Sequence, residues 1–216
     1  MLIIKRAVKM MITVFIALAA LLIVGLSYLA VKYPIGYENI ILKYSKEYDV
    51  DPYLVASIIN VESKYDTHAV SRKDAKGLMQ ISPQTGKWAS EVLKIDNYSE
   101  HDLFDPEINI MIGTWYLSVL LKEFNSNIDL VLAAYNAGSG NVTRWLSNIE
   151  YSLDGINLSN IPFKETEDYL EKVKDSYKVY STVYKNYIIN STNRSYLYIR
   201  LINNIRKAIK AALSLR

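Results

Sequence analysis

The stretch Val55 to Tyr65, VASIINVESKY, decides how the chain is read, because one carboxylate, Glu62, stands where a helix would place an apolar side chain. Counting back along a helix, Ile59 lies three residues before it, Ile58 four and Val55 seven, so all of them share a face with Glu62. A glutamate there faces the core or a cleft. Loss of water disfavours its charged form and raises its pKa, the property a general acid needs near neutral pH. The competing reading is a partly buried carboxylate held by a Lys or Arg, since structural ion pairs also place charges on such faces.

Upstream, Asp51-Pro52 supplies a capping side chain and a proline for the first helical position, so the helix bearing Glu62 starts there. Glu38 to Tyr48 has apolar residues at helical spacing and predicts a preceding helix. Downstream, a polar run from Asp66 to Lys76 ends at Gly77-Leu78-Met79-Gln80, and a helix is predicted over Thr85 to Leu93. A Gly before an apolar pair and a lone Gln suits close approach of backbone to a ligand; a turn with a core Leu and Met is the alternative. Asp105-Pro106 repeats the helix start, and Ile108, Ile112, Trp115, Tyr116, Val119 and Leu120 continue it as a core helix. A further helix over Asp129 to Tyr135 stops at Asn136-Ala137-Gly138-Ser139-Gly140. Tyr135 and Asn136 at that end suit either hydrogen bonding to a polar ligand or capping. Val142 to Leu146 forms a short helix, and Glu165-Thr166 opens a periodic segment with Tyr169, Val173, Tyr177 and Tyr180.

The ends of the chain differ from its middle. Met10 to Val31 is 22 residues without a charge, about 33 Å as a helix and enough to span the hydrocarbon of a bilayer. Lys5, Arg6 and Lys9 precede it and only Lys32 follows closely, which places the N-terminus in the cytoplasm and the remainder outside. A cleaved signal peptide competes with this anchor, but the run is long for one and Tyr28 precedes the best cleavage candidate, Ala30. There is no cysteine, hence no disulfide, thiolate nucleophile or thiolate metal ligand, and His68 and His101 are the only histidines. After Asp175 come eight Lys and Arg and no acid. From Tyr198 to Arg216, Ile202, Ile205, Ile209, Ala212 and Leu213 share one helical face, with Arg200, Lys207, Lys210 and Ser214 opposite. Such a basic amphipathic helix suits an anionic membrane surface or wall polymer, or packs back on the protein. An exported tail leaves nucleic acid out as a partner.

The order of these motifs carries a resemblance. Glu62-Ser63, Gly77-Leu78-Met79-Gln80, Ala134-Tyr135-Asn136-Ala137-Gly138 and Ile161-Pro162-Phe163 with Glu165-Thr166 and Tyr169 resemble the catalytic domain of soluble lytic transglycosylases, a lysozyme-like family acting on peptidoglycan. Phe104-Asp105-Pro106-Glu107 with Asn109, Gly113, Tyr116 and Leu117 agrees as well, and the likeness covers roughly Tyr48 to Tyr184.

The resemblance implies that Glu62 is the single catalytic acid/base and that Ser63 lies beside it near the sugar. It implies that Gln80 is a cleft residue with Met79 its apolar neighbour, that Tyr135 and Asn136 orient substrate and carboxylate, and that Glu165 is a second acidic cleft residue. Tyr65 stands where the family often has Phe or Trp. The expected architecture is all-α: a lysozyme-like lytic transglycosylase domain over residues 38–184, a cytoplasmic start at 1–9, a transmembrane helix at 10–31, a linker at 32–37 and a basic helical extension at 185–216. The expected activity is non-hydrolytic cleavage of the MurNAc-GlcNAc β-1,4 bond in peptidoglycan glycan strands, leaving an anhydro-muramic acid end, with no metal or other cofactor. A goose-type lysozyme-like hydrolase and a non-catalytic wall-binding module are the alternatives.

Overall fold

The computed structural model describes residues 2–185 and 197–214. They are nearly all helical: α1 (Leu2–Lys32), α2 (Glu38–Tyr48), α3 (Pro52–Ser63), α4 (Pro83–Leu93), a 3-10 turn (Glu100–Phe104), α5 (Pro106–Glu123), α6 (Ile128–Ala137), α7 (Ser139–Leu146), α8 (Lys164–Val183) and α9 (Leu197–Ser214). The β structure among them is two isolated bridges, Val70 to Lys76 and Lys76 to Ile81. The described residues form two compact units, one within residues 36–192 and one within residues 1–35 and 193–216.

In the larger unit the helix starts follow their capping chemistry. Asp51 accepts the backbone N–H of Tyr53 at 2.8 Å with Pro52 next in line, and Asp105 accepts those of Glu107 and Ile108 at 2.8 and 3.0 Å ahead of Pro106. Ser82 accepts the N–H of Thr85 at 3.1 Å, so α4 begins at Pro83, two residues before the expected start. α3 is buried from Tyr53 to Asn60 on every side, not along one stripe, and half of the residues of α5 and of α6 are buried. A helix apolar all round belongs inside a fold; α8 packs on α3 and α6, and α2 covers α5. α7 starts at Ser139, before the expected Val142, because Gly138 at φ 90 lets the chain turn straight into it.

In the smaller unit α9 packs on α1. Ile202 is fully buried, Lys207 and Ala212 are exposed, and the side chains of Arg200, Lys210, Leu213 and Ser214, like residues 215–216, lie outside the described residues. Ile3–Lys32 has a mean hydropathy of 2.7 and leaves most of its apolar side chains exposed, with Ala30 buried, and it is long and apolar enough to cross a membrane.

Candidate active site

Glu62 lies in the last turn of α3, at the floor of a cleft of about 790 Å³. Burial pushes its carboxyl up to about 7; the Tyr169 hydroxyl pulls it down and the charge of Glu165 pushes it up further. Its place at the C-terminal end of a helix dipole acts in the upward direction too. The hydroxyl of Tyr169 is buried with no partner of full hydrogen-bond geometry and stands close enough to Glu62 to bond its carboxylate. Burial and the nearby Glu62 also keep the phenols of Tyr135 and Tyr169 well above their ordinary range, so both are protonated donors.

Other segments bring their residues to the same cleft. Tyr135 and Asn136, at the end of α6, line it together with Gln80 and Glu165. The Tyr135 hydroxyl donates to the Met79 carbonyl at 2.9 Å. Asn136 Oδ1 accepts from the Thr166 hydroxyl at 2.8 Å, which fixes the amide so that its N–H₂ group is left for a ligand. Gln80, at φ 49, donates Nε2 to the carbonyls of Gly77 (2.9 Å) and Ala69 (3.1 Å).

Ser63 and Met79, expected at the substrate, are not among the lining residues. The Ser63 hydroxyl donates to the Leu78 carbonyl at 2.8 Å, tying α3 to the turn that carries Gln80. Met79 is fully buried; its side chain packs on Gly113 and its backbone serves Tyr135.

That turn is held from behind by Asn109 of α5. Its Oδ1 accepts the Met79 N–H at 2.7 Å, and its Nδ2 donates to the carbonyls of Leu103 (2.7 Å) and Lys76 (2.9 Å). Gly77, at φ 76, has no room for a Cβ against Leu103 and Asn109. Asn109 and Tyr169 stand within the quoted motifs, yet only tertiary contacts give them a task. Tyr116, read as a core residue of its helix, also lines the cleft, with its ring 5.6 Å from that of Tyr135. Arg72 and Lys73 line it as well; the polarity of their loop was the only signal. His68 and His101 lie against Phe104, outside the cleft lining.

Comparison with known proteins bears on family and fold. The family model of the transglycosylase SLT domain matches residues 39–155, ending before the Ile161 to Tyr169 motif. The soluble lytic murein transglycosylase of Salmonella typhimurium is 34% identical over 144 residues, covering 66% of this chain and 22% of that one. The membrane-bound lytic murein transglycosylase C of Pectobacterium atrosepticum is 33% identical over 172 residues, covering 67% of this chain and 46% of that one. Among solved structures, an inactive mutant of the lytic transglycosylase Slt of Pseudomonas aeruginosa superimposes with a TM-score of 0.64 at 30% identity, covering 73% of this chain and 26% of that one. This chain thus spans from under a quarter to under a half of the length of these relatives. With the motif order, the helical architecture and the cleft in agreement, the chain belongs to the transglycosylase SLT domain family.

Proposed function

We propose that this protein is a membrane-anchored lytic transglycosylase that cuts the MurNAc-GlcNAc β-1,4 bond of peptidoglycan without water. The carboxylic acid of Glu62 protonates the glycosidic oxygen and the C1–O bond breaks through an oxocarbenium-like state, assisted by the substrate's own N-acetyl group. The resulting Glu62 carboxylate takes the proton of the C6 hydroxyl, whose oxygen closes on C1 as an anhydro bridge. One residue thus serves as acid and then as base.

The observation that carries this reading is Glu62 itself, a carboxyl raised to about 7 beside two protonated tyrosines in a cleft. Most glycosidases divide these roles between two carboxylates; here the second acid in the lining, Glu165, is exposed. In the same reading Tyr135 and Asn136 hold the sugar, and Gln80 and Glu165 flank it. Ser63 and Met79 support the cleft from beneath. α1 crosses the membrane with its N-terminus in the cytoplasm, so the domain works on the wall near the outer membrane face of its anchor, and the basic α9 suits anionic lipid or wall polymer there.

The test is mass spectrometry of muropeptides released from purified peptidoglycan by the full chain in detergent, beside a Glu62→Gln control. Products lighter by one water than hydrolytic ones, absent with the control, are expected. Reducing-end products identify a hydrolase, and no product from folded protein identifies a binding module.

A further inference from the structure

The wall of the cleft holds two cations that the proposed chemistry does not use. Arg72 and Lys73 are exposed, line the cleft with Glu62, and pair with no acid among the described residues. Five of the 14 Lys and Arg of residues 38–184, namely Lys43, Lys76, Lys164, Lys174 and Lys178, sit in ion pairs; what sets Arg72 and Lys73 apart is their place in the cleft lining. Residues 38–184 carry 14 Lys and Arg against 22 Asp and Glu, so acids to pair with are plentiful.

Ser71 shapes the loop that carries the two cations. Ser71 Oγ accepts the N–H groups of Lys73 (3.2 Å) and Ala75 (3.0 Å), and the Ser71 N–H donates to the Ala75 carbonyl at 2.9 Å. Asp74, the acid nearest in sequence, is not among the lining residues and pairs with Lys76 at 2.8 Å, which Glu100 also engages at 3.3 Å. Ser82 and Thr85, in the first turn of α4, line the same cleft and add the positive end of a helix dipole. The cleft therefore presents two exposed cations, Arg72 and Lys73, alongside Glu62 and one exposed acid, Glu165.

A glycan of N-acetylated sugars has no charge along its backbone; the anions of peptidoglycan are the carboxylates of the peptide stems carried on its muramic acid. We infer that Arg72 and Lys73 are specificity residues that bind stem carboxylates, so that the cleft selects stem-bearing strands. This inference rests on peptidoglycan being the substrate. A cation pair that merely balanced Glu62 and Glu165 would act on the acid's titration whatever the stem carried.

The experiment is co-sedimentation with insoluble peptidoglycan, native or with its carboxyl groups converted to amides by carbodiimide and ammonium. The full chain in neutral detergent carries Glu62→Gln to prevent turnover, with and without Arg72→Ala plus Lys73→Ala. The double substitution is expected to weaken binding to native peptidoglycan about five-fold, as two exposed charge contacts allow. It changes nothing on the amidated material, and Arg72→Lys with Lys73→Arg retains binding. With Glu62 restored, the loss falls on KM and the pH profile stays in place. Equal weakening on both materials, or none on the native one, overturns the inference. Failure of the transglycosylase reading shows separately, as absence of anhydro products while sedimentation still reads the cations.

Discussion

Burial holds Glu62 up to about 7, and its two neighbours act on it in opposite senses. Tyr169→Phe removes a hydroxyl that lowers the pKa, so the alkaline limb of kcat/KM moves to higher pH; Glu165→Gln removes a charge that raises it, so the limb moves lower. Both shifts are read from pH–rate profiles of folded protein. Glu62→Gln removes the acid itself and is expected to cost at least about 10²-fold in kcat. The same substitution stabilises the fold at alkaline pH. A carboxyl whose folded pKa lies above its unfolded value of 4.5 favours folding less as pH rises between the two, so the wild type loses stability from about pH 4.5 to 7. Glu62→Gln should therefore raise the unfolding free energy at pH 8, by on the order of 1–3 kcal/mol, and not at pH 4, in urea titrations at both values.

At the scale of elements, the α5 helix supports the cleft from behind. Asn109→Ala leaves the Met79 N–H and the Leu103 and Lys76 carbonyls without their partner. A cost of about 2–4 kcal/mol is expected in urea unfolding, with reduced turnover because Met79 no longer holds Tyr135. Gly113 fails for a steric reason, since a Cβ there would fall inside the Met79 side chain. Gly113→Ala is expected to cost about 1–3 kcal/mol by overpacking, again read in urea. Neither residue touches the cleft, so a loss of activity in either reports on the turn that carries Gln80.

At the scale of the whole molecule, charge and apolarity are divided along the chain. All 22 acids lie in residues 38–184, and the apolar α1 precedes them. The absence of native cysteine makes the orientation directly measurable. A cysteine at the exposed Lys46 is expected to react with a membrane-impermeant maleimide added to intact spheroplasts, and one at Lys5 only after lysis. The reverse pattern would overturn the proposed topology. Removal of α1 is expected to move the protein from the carbonate-resistant membrane pellet to the supernatant.

Helix starts at Asp51-Pro52 and Asp105-Pro106, the central place of the Glu62 helix and the family motifs were legible in the sequence by itself. Capping and periodicity act over a few residues, and the motifs keep their order along the chain. The tasks of Ser63 and Met79 were not legible, because which way a hydroxyl or thioether points depends on partners distant in the chain. The Tyr135 bond to Met79 spans 56 residues, and that of Asn109 to Met79 spans 30. Nor did local pattern tell the free cations, Arg72 and Lys73, from the paired Lys76 three residues on. The sequence determined the helices and singled out Glu62 as the candidate acid. Tertiary structure decided the pKa of that acid and which charges share its cleft, because desolvation and pairing are properties of the packed chain.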